Sequence, residues 1–133
     1  MLDQLTAGLK FQSNALLLRS QRQQVLASNI ANADTPGYIA RDFDFAQALK
    51  TAAGGVPRSA VSTTDARHLR LGQTDPLNPE LAYTVQTEPS QDGNSVDLDR
   101  ERANFVDNSI RYESTLRFIN GHVKTMLSAI QGQ

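Results

Sequence analysis

At 133 residues, 39% apolar and 6% aromatic with no Trp, the chain suits one domain or one elongated subunit with a thin core. Its 13 basic and 14 acidic side chains nearly cancel to a formal charge of -1, which excludes the basic footprint of a nucleic-acid binder or of a protein held on an anionic membrane. No Cys is present, which excludes disulfides, thiolate metal ligands and a Cys nucleophile.

The longest apolar run near the N-terminus, Ala15 to Leu18, is far short of a signal-peptide core or a spanning helix. An extracytoplasmic destination therefore calls for an export route without a cleaved Sec-type signal. Residues 1–32 read as one helix. Leu2, Leu9, Leu16 and Ile30 stand seven or fourteen apart, with Leu5 and Leu26 on the interleaved positions of a heptad. Gln12, Arg19 and Gln23 interrupt the stripe, and a second line, Phe11, Leu18 and Val25, runs beside it. Asp3 is the expected N-cap. The helix is expected to stop around Asn29 to Asn32, because Pro36 disfavours helix at Thr35. Thr35-Pro36-Gly37-Tyr38 places Pro and Gly at the centre of a type II turn.

Residues 33–52 hold that turn and one short helix over 42–50. The stretch 53–94 is a variable middle region. It opens on a linker-like Ala53-Gly54-Gly55-Val56-Pro57, is broken again by Asp75-Pro76-Leu77-Asn78-Pro79, and holds one short strand over 82–87. Residues 95–133 carry the clearest period. Leu98, Phe105, Tyr112, Leu116, Ile119, Val123, Met126 and Ile130 fit an alternating four-three spacing, broken only by Arg102 and Ser109. That is a long helix with a coiled-coil seam. Ser95 or Asp97 caps it, and Asp97, Asp99 and Glu101 favour the positive end of its dipole. Gly121 lies mid-helix, where it costs about 1 kcal/mol relative to Ala. It is either a close approach to a neighbouring backbone or a tolerated surface glycine.

The fold class is thus mainly α: two long terminal helices in a coiled-coil-like pair around a small irregular, β-containing middle. A lone antiparallel pair buries only its facing stripes. Phe11, Leu18 and Val25, with Val106, Ile110 and Phe118, are expected to stay wet until neighbouring chains cover them.

The run Arg22 to Tyr38, with the block Ala31-Asn32-Ala33-Asp34-Thr35-Pro36-Gly37-Tyr38 at its heart, resembles the signature of the axial proteins of the bacterial flagellum: rod, hook and hook-associated subunits. Arg41-Asp42-Phe43-Asp44-Phe45, the short length and Gly93-Asn94-Ser95-Val96-Asp97-Leu98 are similar to the short proximal rod proteins. Ile39 stands where that family usually has Lys. The resemblance implies a structural subunit of the basal-body rod in the periplasmic space. It would polymerise through Leu2, Leu5, Leu9, Leu16, Leu26, Ile30, Phe105, Tyr112, Leu116, Ile119, Val123, Met126 and Ile130. The partners it implies are further copies of the chain, other rod proteins, the FliE adaptor with the MS ring, and the flagellar type III export apparatus. Asn29 and Asn32 are expected to bond the last open carbonyls of the first helix. Pro36 and Gly37 set the turn, and Tyr38 packs its ring on a helix with its hydroxyl at a polar edge. The alternative is that the block is only a helix stop. Phe45 to Leu49 is similar to a gate-recognition motif of exported rod and hook proteins, or is a helical turn packing locally.

No constellation supports an enzyme, a cofactor, a nucleic acid or a small-molecule substrate. His68 and His122 are far apart and read as surface residues, without zinc spacing. Asp92 to Asp97 departs from a calcium loop and reads as a turn and cap. Arg67, His68 and Arg70 read as a solvated face or an intersubunit contact. Two rival readings remain: another short rod protein, and a soluble helical adaptor or export chaperone.

Overall fold

No Pro occurs before residue 36, and leucines recur along one face, so the first helix runs unbroken. In the computed structural model α1 spans Leu2–Ala31. The structure describes residues 2–54, 75, 77–84 and 90–132, with residues 2–5 described by backbone alone. The side chains of Leu2 and Leu5, most of the Gly-rich linker, the Arg67, His68, Arg70 cluster and the far end of the 82–87 strand lie outside the described residues. Asp3 falls inside α1, one residue past its start, and is not the cap.

After the turn, β1 (Arg41–Asp42) pairs antiparallel with β2 (Ala82–Tyr83), Arg41 opposite Tyr83. The short helix α2 spans Phe45–Ala52, later than its expected start at 42. Asp42 is held in extended backbone by this pairing and by Arg22, whose guanidinium donates to both its carboxylate oxygens at 3.1 and 2.7 Å. That bidentate contact raises the Arg22 pKa above the ordinary guanidinium value, the hydrogen bond being the largest cause. Asp44 caps α2 instead, accepting from the Gln47 N–H at 3.0 Å. The last helix, α3, spans Leu98–Gln131, with Asp97 as its cap.

The α2 helix folds back on α1, and this corrects one expectation. Leu18 is fully buried, forming the core with Phe43 and Ala48, while Phe45, Leu49 and Ala52 pack around it. The Asn14 amide donates to the Ala52 carbonyl at 3.2 Å, and the Arg19 guanidinium lies 4.1 Å from the Phe45 ring centre. Burial lowers the Arg19 pKa, and repulsion from Arg111 adds to it.

The α1 and α3 helices pack side by side and antiparallel. Asn29 reaches Glu101 near one end, and further along Asn108 donates to the Arg19 carbonyl and to Gln23. The face α3 turns inward differs from the expected seam. Phe105, Tyr112, Ile119 and Met126 are half-buried, in line with it. Their inward companions are Glu101, Asn108 and Thr115, all buried, with His122 half-buried, rather than Leu116, Val123 and Ile130. Both lines repeat every seven residues and flank the same Phe105 line, so the period alone cannot choose between them. Partner chemistry decides: α1 supplies an amide donor for Glu101 and two acceptors for the Asn108 Nδ2, and offers nothing special to Leu116. His122 is correspondingly not a free surface residue, since its Nε2 is enclosed and has no hydrogen-bond partner among the described residues. Among the described residues, a Cβ at Gly121 would meet open space.

Leu18→Ala should lower stability by about 2–4 kcal/mol in urea unfolding, whereas Phe11→Ala, on the exposed side of α1, should stay within about 1 kcal/mol of wild type.

Candidate functional site

The α1 helix has no basic residue in its last turn, so its open carbonyls need other donors. One neutral amide reaches the last turn, and a second bonds the carbonyls of the turn that follows it. Asn32 Nδ2 donates to the Ser28 carbonyl at 2.8 Å. Asn94, from the loop before α3, aims its Nδ2 at the carbonyls of Asn32, Ala33 and Thr35 at 2.8–2.9 Å. Asn94 Oδ1 accepts from the Val96 N–H at 2.8 Å, which fixes the amide's orientation.

The Thr35 to Tyr38 turn closes through a Tyr38 N–H to Thr35 carbonyl bond at 3.2 Å. Gly37 has φ +72°, the value that residue i+2 of a type II turn requires. The loop before α3 docks on this turn. Gly37 N–H donates to the Asp92 carbonyl, and Ser95 N–H to the Tyr38 carbonyl, both at 2.9 Å. Ser95, the other cap candidate, uses its Oγ to accept from the Ala40 N–H at 2.7 Å. Gly93 also has positive φ, and a Cβ there would lie 3.7 Å from the Gly37 Cα. The 3.7 Å separation is ordinary contact, so what calls for glycine at both positions is the left-handed backbone of the two turns rather than lack of space. Ser90 and the Asn94 N–H bond the Asp92 carboxylate and hold its pKa below the ordinary value.

Asn29 is the centre of the clasp, and its role differs from the expected one. It is fully buried and does not bond the helix carbonyls. Its Nδ2 donates to the Arg41 carbonyl at 2.7 Å and to Glu101 Oε2 at 3.0 Å. Its Oδ1 accepts from Tyr38 Oη at 3.1 Å and the Arg41 N–H at 3.2 Å. Both amide hydrogens and both lone pairs are engaged. An Asp would leave two acceptors facing a carboxylate. One side chain therefore ties together the end of α1, the turn, β1 and α3.

The signature residues Asn29, Asn32, Thr35, Pro36, Gly37 and Tyr38 fall in this one clasp. Phe45 and Leu49 do not: they lie on α2 against the Leu18 cluster, and in the folded chain both are half-buried. Of the assembly-helix residues, Leu26 is buried, and Leu9, Leu16, Ile30, Phe105, Tyr112, Ile119 and Met126 are half-buried. Leu116, Val123 and Ile130 face out. Sequence reasoning missed Asn94, Ser95 and Glu101 as clasp residues. For Glu101 a signal existed: with Asn108, Thr115 and His122 it forms a polar line at seven-residue spacing.

The clasp contains no nucleophile–base pair. It is a joint, and the arrangement it holds is a hairpin with one polar inward line. The profile of the flagella basal body rod protein family matches residues 9–38, the α1 helix and the clasp turn. The chain is 48% identical over 136 residues to flagellar basal body rod protein FlgB of Yersinia enterocolitica, covering 98% of each. It is 47% identical to FlgB of Escherichia coli over 135 residues, again 98% of each, and 47% identical to FlgB of Salmonella typhimurium over 139 residues, 99% of each.

Asn29→Asp should destabilise the fold by about 3–5 kcal/mol, because it sets two buried carboxylates in contact. Glu101→Gln keeps an acceptor for Asn29 and should change stability by less than about 1 kcal/mol, or raise it. In the double variant Glu101→Gln should recover part of the Asn29→Asp loss, a coupling that chemical unfolding of all four proteins measures.

Proposed function

Because the chain belongs to the FlgB family of flagellar basal body rod proteins, we propose that it builds the proximal part of the rod, polymerising through its terminal helices into the shaft that transmits rotation. The observation that carries the helical part of this reading is the setting of α3. It turns Glu101, Asn108 and Thr115 inward and leaves Leu116, Val123, Leu127 and Ile130 exposed. A solitary molecule would not place its better hydrophobic line in water. A subunit completed by its neighbours would.

The chain is then a structural subunit, not a catalyst. It assembles with other rod and basal-body components; further copies of itself, the FliE adaptor and the MS ring are the specific neighbours this reading names. Its site of action is the periplasmic span of the basal body. No helix among the described residues is long and apolar enough to cross a membrane. The flagellar type III apparatus would export it, and Phe45 and Leu49, half-buried against the Leu18 cluster in the folded chain, would be read on an unfolded one. Burial of these residues also means that deleting 45–49 would disturb the fold, so a secretion assay needs single substitutions there.

Leu116→Asp separates assembly from folding. Since Leu116 is outside the intrachain seam, the variant should keep wild-type helix content and unfold within about 1 kcal/mol of wild type. It should fail to polymerise in light scattering and to restore motility to cells lacking the native protein. Polymerisation at the wild-type rate would contradict the proposal.

A further inference from the structure

An open recess of about 490 Å³ lies beside the clasp, lined by Val25, Tyr38, Ile39, Arg41, Leu81 and Tyr83 among others. Its rim is apolar and wet: Ile39 is 48%, Leu81 43% and Tyr83 65% exposed. Arg41, the cation among the lining residues, lies over the Tyr83 ring at 5.3 Å. The segments that form the recess carry exposed carboxylates. Asp34 is in the clasp turn, Glu80 precedes Leu81, and Asp92 bonds Gly37 through its carbonyl. None of the three has an ion-pair partner among the described residues.

The opposite end of the hairpin has the complementary character. The antiparallel pairing that puts Asn29 beside Glu101 and Arg19 beside Asn108 sets Lys10 next to the stretch near residue 120. Leu116, Val123, Leu127 and Ile130 make one outward stripe there, 38%, 39%, 51% and 77% exposed. Arg117 and Lys124, seven residues apart, run along its flank, and both are exposed, as is Lys10. Neither lysine has an ion-pair partner among the described residues, and Arg117 has only a loose one, Glu113 at 3.8 Å. One end thus offers an apolar hollow, with Arg41 in its lining and exposed carboxylates on the segments that form it, and the other an apolar ridge flanked by cations.

We propose that the recess beside the clasp receives the C-terminal third of α3 from a second copy of this chain, apolar surface against apolar surface, with Lys10, Arg117 and Lys124 of one copy facing Asp34, Glu80 and Asp92 of the next. The contact joins two different surfaces, so each bound copy leaves one free end of each kind. Such a contact does not close on itself and propagates into an open filament. The charges select the head-to-tail mating and oppose pairing of like ends. The proposal rests on the rod-subunit reading and adds to it which surfaces meet and what orients them.

Charge reversal in pairs tests it on the purified full chain. The acidic-end variant, Asp34→Lys with Glu80→Lys, and the basic-end variant, Lys10→Glu with Lys124→Glu, alter exposed side chains outside the clasp bonds. Circular dichroism should show both folded. Each alone should self-associate at least tenfold less than wild type in sedimentation and light scattering at low salt, and an equimolar mixture should recover wild-type assembly, because every contact then pairs opposite charges. Wild-type assembly should weaken as salt rises. Folded variants that each assemble like wild type, or a mixture no better than its components, overturn this inference while leaving the rod reading standing. A wild-type chain that stays monomeric at every concentration and salt overturns both.

Discussion

The contact between the Asn29 amide and the Glu101 carboxylate sets the rotation of the C-terminal helix, and the rest of the molecule follows from that setting. A buried carboxylate without a donor is expensive, by several kcal/mol. Asn29 is placed to donate only if α1 ends where it does and the chain then turns sharply enough for Arg41 and Tyr38 to satisfy the rest of its amide. With Glu101 facing inward, the seven-residue repeat carries Asn108, Thr115 and His122 to the same side. The apolar line one step around the helix is then left to solvent. A neutral amide suits this hinge because it must donate and accept at once, which neither Asp nor Leu can do.

The molecule divides its hydrophobic surface accordingly. Leu18, Phe43 and Ala48 are gathered in one small core by α2 folding onto α1. The interhelical seam, by contrast, is largely hydrogen-bonded: Gln23 with Ser109, Asn108 with the Arg19 carbonyl, and Asn29 with Glu101. Net contributions of such bonds are modest, about 1 kcal/mol each, but mispairing them is costly. The seam therefore specifies register more than it supplies stability. Among the described residues, Asn108 Oδ1, Arg19 Nε and His122 Nε2 are enclosed without a hydrogen-bond partner. A rod subunit that assembles with its neighbours is served by a hairpin of this kind, specified in register by its own polar contacts and left with apolar surface for others to cover.

Much of the fold was legible in the residues. Heptad spacing marked both long helices, and Pro36-Gly37 marked the turn, because these signals are local. The rotation of α3 was not legible. Lines 101/108/115/122 and 116/123/130 share one period, and hydrophobicity favoured the second. The choice depends on a donor 72 residues away in sequence, Asn29. Leu18 was misassigned to a wet face for a related reason. Its cover, α2, is a short helix legible in the residues, but its docking on α1 depends on Asp42 being held by Arg22 and β2, which redirects the chain across α1. Asn94 and Ser95 read as helix-cap neighbours, and nothing local indicated that they fasten the far end of another helix. The site was readable residue by residue, and its connectivity only in three dimensions.

The central claim is that one copy leaves the C-terminal third of α3 incomplete and that assembly finishes it. Amide hydrogen exchange along α3, in dilute monomer and in assembled material, tests this directly. The account predicts protection around 101–108 in both states, and protection around 116–130 only after assembly. Strong, uniform protection of the whole helix in the dilute monomer would contradict it.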